Sequence, residues 1–243
     1  MLRLDIHVAE ALRISRTEAQ DVIRSGHVQL AGRAVTKPGL KLSEVEAAQV
    51  EISGGTRAFV GLGGDKLNMA LEAFGISVSG LICLDVGAST GGFTDCLLRH
   101  NAVKVYAIEN GTNQLAPQLR SDSRVVSREQ TDIREALPEW FDEPPSFAAV
   151  DVSFISLTKV LRQIVGILAA EATLVCLIKP QFEVGRGGTS KRGIVKEVKV
   201  QNQVVNEICA FAESLGLVCR GVIPSKKTKH KNQEFLLHCA KGF

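Results

Sequence analysis

Four charged residues sit where apolar runs of this chain turn polar. Lys66 lies in Gly63-Gly64-Asp65-Lys66-Leu67, and Asp151 ends Ala149-Val150-Asp151-Val152-Ser153-Phe154. Lys179 ends Val175-Cys176-Leu177-Ile178-Lys179, and Glu234 follows Lys231-Asn232-Gln233. A charge closing a buried strand is costly unless paired, so Asp151 and Lys179 are expected as an ion couple. An antiparallel last strand would start at the same edge and bring Glu234 near Lys179, while Lys66 reads as lying just before the first helix of its domain. A lysine whose pKa is lowered by burial and a second cation can take a proton from a weak oxygen nucleophile or stabilise its alkoxide. Such a set suits in-line transfer of a methyl group to a ribose 2′-hydroxyl.

A second constellation supplies the other substrate. The apolar run Leu81–Val86 leads into Gly87-Ala88-Ser89-Thr90-Gly91-Gly92-Phe93, and about twenty residues later the next apolar run ends at Glu109. In an open α/β sheet, ligands bind beyond the carboxyl ends of the strands, and an acidic residue closing the second strand reaches ribose hydroxyls. The loop has no Gly-Lys-Ser/Thr for a triphosphate, and Ala88-Ser89 interrupts a dinucleotide glycine fingerprint. Asp85, two residues before Gly87, would sit badly beside a pyrophosphate and well beside a sulfonium. The cofactor expected is S-adenosyl-L-methionine.

These residues need a frame that aligns strand ends. Apolar strands are expected at 81–86, 103–108, 124–127, 147–152 and 172–178, with helices at 91–100, 112–119, 157–168 and 198–215. Strands at 217–223 and 234–238 close the chain through a short connection, hence a hairpin and one antiparallel strand. The first 55 residues differ: Ser15-x-x-Glu18 has capping-box spacing, Gly26 stops a helix, and Ala31-Gly32 reads as a turn between short strands. Two small helices and a compact β unit result. The organisation expected is an N-terminal domain over 1–55, a linker over 56–63 and an α/β domain over 64–243.

Composition is that of an ordinary globular protein, 45% hydrophobic and 23% charged with a net charge of +3. The six cysteines show no C-x-x-C spacing and read as free thiols in a reducing compartment, with no metal site. The N-terminus lacks a secretory h-region and no apolar run would span a bilayer, so the expected location is cytoplasmic. Positive charge clusters near the catalytic edge, in Arg186, Lys191 and Arg192 and in the acid-free stretch Arg220–Lys231 with Lys226, Lys227 and Lys229. Clustered cations beside a reactive edge fit phosphate contacts. With one Trp and one Tyr, recognition by shape and backbone is favoured over base stacking.

Gly63-Gly64-Asp65-Lys66-Leu67, Asp85 through Asp95, Asp151-Val152-Ser153-Phe154-Ile155-Ser156, Lys179-Pro180-Gln181-Phe182-Glu183 and Asn232-Gln233-Glu234-Phe235 together resemble the TlyA-like proteins. That family, also labelled hemolysin A, joins an S4 RNA-binding domain to an FtsJ-like methyltransferase domain. The resemblance implies a Rossmann-like class I methyltransferase with a mostly parallel seven-stranded sheet, last strand antiparallel, behind a small α+β S4-like domain. It implies 2′-O-methylation of ribosomal RNA, with cytidine the usual target, by a Lys66-Asp151-Lys179-Glu234 set. Its cofactor residues would be Asp85, Gly87 to Phe93, Glu109, Asp132 (where the family has Asn) and Asp151. Arg3, Arg13, Arg16, Arg24 and Lys37 of the S4-like segment, Arg57 of the linker and Lys231 join the expected RNA contacts. Ribosomal RNA or its subunits are the expected partners, with neither a membrane nor a protein partner. Two alternatives stand beside this reading. A base methylase would more often carry an Asn/Asp-Pro-Pro-Tyr clamp, which Asp151-Val152-Ser153-Phe154 is not. A non-catalytic assembly factor that retains the pocket need not keep Lys179 and Glu234.

Overall fold

The structure is a computed structural model that describes residues 2–12, 16–24, 26–52, 59–185, 188–190, 193–226 and 231–242. Ser15 of the expected capping box and residues 56–58 of the expected linker lie outside the described residues. Two compact units divide the chain, Met1–Leu62 and Gly63–Phe243.

The first unit runs β1 (Leu2–Arg3), α1 (Leu4–Leu12), α2 (Arg16–Arg24), β2 (Val28–Leu30), β3 (Arg33–Ala34), β4 (Lys41–Leu42), α3 (Glu44–Ala47) and β5 (Val50–Ile52). Leu4, Val8, Ala19, Val22 and Ile23 of the two helices pack with Val28 and Leu42 into its core. Ala31 and Gly32 both take positive φ, 49° and 74°, the backbone that lets a two-residue turn follow the twist of a hairpin. β5 joins the other side of β2, and β1 pairs with β4. β1, β4 and α3 are too short to leave a periodic signal, although Ser43 and Glu46 form a reciprocal capping box at the start of α3.

Asp5 sits at the centre of this unit with no exposed side-chain surface. It accepts hydrogen bonds from Arg3 Nε and Nη2 at 3.0 Å, Arg16 Nε at 3.0 Å and Gln20 Nε2 at 2.9 Å. Those partners, Arg3 foremost, hold the carboxyl well below the usual carboxylate range despite its burial. Arg3 and Arg16, expected at RNA, are thus engaged in joining β1, α1 and α2, while each keeps an exposed face.

The second unit contains α4 (Leu62–Phe74), β6 (Ile82–Val86), α5 (Gly92–Arg99), β7 (Lys104–Ile108), α6 (Pro117–Arg120), β8 (Val125–Arg128), β9 (Phe147–Val150), α7 (Leu161–Ile167), β10 (Ala172–Ile178), α8 (Pro180–Glu183), α9 (Val198–Ser214), β11 (Leu217–Pro224) and β12 (Phe235–Lys241). Its seven strands lie in the order β11-β12-β10-β9-β6-β7-β8. β12 runs antiparallel to β10 and β11, while the pairs among β6 to β10 are parallel. The expected sheet is present. From β6 the chain winds outward through β7 and β8, then returns to β9 on the other side, so the strand order reverses between β6 and β9. In open α/β sheets the ligand crevice lies at such a reversal, outside the carboxyl ends of the strands.

Two expected helices are shorter than the pattern suggested. Glu129 accepts the N–H groups of Asn113, Gln114 and Leu115 at 2.7–2.9 Å, so 112–116 cannot close helical turns, and α6 starts only at Pro117. The stretch 157–168 opens as a 3-10 turn at Leu157–Lys159 before α7. Lys66, read as preceding its helix, lies inside α4. Gly63 and Gly64 would weaken an isolated helix, but a Cβ at Gly63 would approach the Phe93 ring at 3.2 Å, so close packing favours glycine there.

Asp5→Ala should loosen the N-terminal unit by about 2 kcal/mol, the scale of hydrogen bonds to a charged group. Because the native carboxyl titrates below its ordinary range, this stabilisation is present above the unfolded pKa and is lost as pH falls through the folded value. Amide exchange of α1 and α2 at neutral and acid pH measures both effects; wild-type protection in the variant would contradict them.

Candidate active site

The loop after β6 is shaped by its backbone. The N–H groups of Gly87 and Ala88 both donate to Ile108 O, at 2.9 and 3.2 Å, and Asp151 N–H donates to Val86 O at 2.9 Å. Gly87 takes φ +82°, and a Cβ there would run into the Asp151 carbonyl; only glycine meets both demands. Gly91, at φ +96°, faces Leu115 and Leu119 as closely. Ser89 also takes positive φ, 48°, and its N–H donates to Glu109 Oε2 at 2.8 Å. Gly111 N–H donates to Glu109 Oε1 at 2.7 Å. Glu109 therefore fastens the glycine loop to the end of β7.

Asp85 is fully buried, and Thr94 Oγ1 donates to its Oδ2 at 2.6 Å. Its Oδ1 has no hydrogen-bond partner among the described residues. Burial pushes this carboxyl up to about 7, with the charges of Asp151 and Glu109 adding to the rise and the Thr94 bond opposing it. The crevice thus holds three carboxylates around a glycine cradle, one with an unused buried oxygen. That donor set fits a cationic ligand and disfavours a pyrophosphate.

The four charges flanking the crevice form two pairs. Lys179, the residue after β10, makes an ion pair with Asp151, the residue after β9, and donates to Ser153 Oγ at 2.8 Å. Lys66 Nζ, in the second turn of α4, donates to Glu234 Oε2 at 2.6 Å. Ile178 pairs with Phe235, so Lys179 and Glu234 leave adjacent strands at one edge. The hydrogen-bonded partner of Glu234 is nevertheless Lys66, where the sequence suggested Lys179. α4 supplies the cation from above the edge, a placement that strand reading alone does not give.

Other expected site residues are placed less centrally. Asp132 caps the 3-10 turn Ile133–Glu135 and pairs with Arg134. Arg24 and Lys37 are exposed in the first unit, as are Lys226 and Lys231 in the second. Ser225 N–H donates to Glu234 O at 2.8 Å, so Lys226 follows directly from the strand end that carries Glu234. Arg13, Arg57, Arg186, Lys191, Arg192, Lys227 and Lys229 lie outside the described residues. Sequence reasoning gave no role to Ser153, Glu183, Phe154 or Phe182. Phe154 is 90% exposed at φ +64°, with its ring 5.0 Å from that of Phe182. All four lie within motifs that were recognised, but their roles depend on contacts between two separate loops.

The FtsJ-like methyltransferase profile matches residues 59–242, and the S4 domain profile matches residues 2–46. The chain belongs to the FtsJ-like methyltransferase family. It carries an S4 domain ahead of the methyltransferase unit. It is 44% identical to Hemolysin A of Brachyspira hyodysenteriae over 98% of this chain and 99% of that one. It is 41% identical to the 16S/23S rRNA (cytidine-2′-O)-methyltransferase TlyA of Mycobacterium tuberculosis, over 88% of this chain and 80% of that one. A solved structure of a hemolysin-named protein from Streptococcus thermophilus superposes with a TM-score of 0.80 at 39% identity, covering 99% of this chain and 88% of that one. No helix among the described residues of this methyltransferase is long and apolar enough to cross a membrane.

Gly87→Ala should force either the β6 loop or the Asp151 backbone to move, at a cost of about 1–3 kcal/mol for the strained φ alone. A thermal melt that matches wild type would show that the loop accommodates the methyl group.

Proposed function

We propose that this protein transfers a methyl group from S-adenosyl-L-methionine to the 2′-hydroxyl of a cytidine in ribosomal RNA. The observation that carries the reading is the junction of a carboxylate-lined glycine crevice with the Lys179–Asp151 and Lys66–Glu234 pairs at one sheet edge. Asp85, the Gly87–Phe93 loop, Glu109, Asp132 and Asp151 hold the cofactor. Asp85 and its neighbours stabilise positive charge, and the glycines allow close backbone approach. When bound, the cofactor supplies an electrophilic methyl group on a sulfonium.

The chain's own residues prepare the nucleophile. Lys179 is held by Asp151 and Ser153, so its ammonium group is oriented before substrate arrives. It hydrogen-bonds the 2′-oxygen and offsets the negative charge that grows there as the hydroxyl proton passes to water. Lys66 and Glu234 fix the opposite side of the site and align the ribose. Orientation of two bound substrates accounts for much of the remaining acceleration.

RNA is held by cations outside this set. Residues 1–55 act as the RNA-docking domain, 56–63 as the linker and 64–243 as the catalytic domain. Lys226 and Lys231, with Lys227, Lys229, Arg186, Lys191 and Arg192, contact phosphates near the target nucleotide. Arg24, Lys37, Arg13 and Arg57 add contacts from the N-terminal side. The chain works in the cytoplasm, where ribosomal subunits are available.

Radiolabelled methyl transfer to ribosomal subunits tests the reading, and the product should resist alkaline cleavage at one cytidine. Label that remains alkali-labile would mean methylation of a base. Lys179→Ala should lower turnover by roughly two orders of magnitude or more with cofactor affinity retained by calorimetry; retained turnover would remove Lys179 from its role. Deleting residues 1–55 should weaken subunit binding and leave the catalytic unit folded, and undiminished binding would locate the RNA contacts elsewhere.

A further inference from the structure

One carboxylate outside the four-residue set ties two loops of the site together. After β9 the chain runs from Asp151 to Ser156 without regular structure before the 3-10 turn at Leu157. It is fastened at both ends to the segment that follows β10. At the near end, Lys179 pairs with Asp151 and donates to Ser153. At the far end, Glu183 accepts the Ser156 hydroxyl at 2.5 Å and the Leu157 N–H at 2.9 Å. Pro180–Glu183 forms the single turn α8, so both fastenings belong to one short rigid piece.

Phe154 lies between them. Positive φ in a bulky residue is strained and persists only where the surroundings over-determine it. The Phe154 ring leans on Phe182, whose centroid is 6.0 Å from Lys179 Nζ. Loop conformation, lysine position and exposed ring are thereby linked. Glu183 makes no ion pair among the described residues. Burial pushes its carboxyl up, against the two bonds from Leu157 and Ser156. Both bonds go to a carboxylate, and besides stabilising the fold they fix the direction of the loop backbone at Ser156 and Leu157.

We propose that Glu183 is a positioning residue for methyl transfer, locking the Asp151–Leu157 loop onto the Lys179 segment so that Lys179 and Phe154 keep their places against the target nucleotide. This rests on the reaction assigned above, and its test separates the two.

The full-length protein is assayed for radiolabelled methyl transfer to small and large ribosomal subunits, with cofactor affinity from calorimetry and exchange at the Leu157 amide. Glu183→Ala should lower kcat roughly tenfold or more. The cofactor Kd and the KM for subunits should stay within about twofold, and the Leu157 amide should exchange faster. Glu183→Gln keeps an oxygen for Leu157 N–H and an amide for Ser156 Oγ, and should restore most of the rate. Full-rate Glu183→Ala with a freely exchanging Leu157 amide would overturn the proposal. Loss of turnover in step with cofactor binding and melting temperature, without rescue by Glu183→Gln, would reduce Glu183 to a structural residue and overturn it equally. If Glu183→Ala does not fold, Ser156→Ala removes one donor alone; a smaller fall in kcat supports the proposal, and an unchanged kcat refutes it. A wild type inactive on both subunits sinks the assigned reaction, whereas unchanged Leu157 exchange in Glu183→Ala sinks the clamp.

Discussion

The Lys179–Asp151 pair is the interaction on which the arrangement of the reactive sheet edge depends. Asp85, Glu109 and Asp151 bring three carboxylates to the carboxyl ends of β6, β7 and β9, where the strands behind them are apolar apart from Lys104 at the start of β7. Burial pushes Asp85 up to about 7, and the like charges of Asp151 and Glu109 add to the rise. Lys179 offsets part of this charge from the next strand over. Its nearly complete burial in turn requires the carboxylate and the Ser153 hydroxyl as partners. Removing either member would leave the other as an uncompensated charge at the point where the strand order reverses.

The large sheet was legible because its strands are buried on both faces. Continuous apolar runs such as Leu174–Ile178 separated by helical segments imply parallel pairing, and the short connection before Phe235 implies the antiparallel last strand. The paired charges at Asp151 and Lys179 were legible for the same reason, since a charge that closes an apolar run needs a partner. The partner of Glu234 was not. Lys66 reaches it from a helix that precedes it by more than 160 residues in sequence, and no periodicity encodes that approach. The helix itself starts earlier than propensity allows because Gly63 packs on Phe93, a tertiary gain that outweighs the intrinsic cost of glycine. Likewise α6 loses its first turns to Glu129, whose carboxylate takes the amides that a longer helix would have used.

Strain is concentrated where the ligands would meet. Ser89 and Phe154 are two of the few non-glycine residues with positive φ; one lies in the glycine loop and the other in the loop after β9. Each is held by a carboxylate from a neighbouring segment, Glu109 for Ser89 and Glu183 for the Phe154 loop. Two carboxylates that accept backbone N–H groups thus brace the two sides of the crevice. Rigid bracing of this kind places donors and acceptors before substrate binds, which is the form of organisation that electrostatic catalysis requires.

The distribution of cations follows a similar economy. In the S4 unit, Arg3 and Arg16 converge on Asp5 and connect three elements of a small core. An arginine held by a carboxylate is half neutralised, but its remaining donors are fixed in direction, and fixed donors lose less freedom on meeting a phosphate than mobile lysines do. Lys226 and Lys231, by contrast, flank the strand end bearing Glu234 on exposed chain. Exposed cations there add positive potential beside the strand end. On the proposed reading, the oriented arginines set the pose of an RNA on the N-terminal unit, while the lysines beside Glu234 attract backbone phosphate. On the same reading, selectivity for a nucleotide arises from the braced loops beside Lys179.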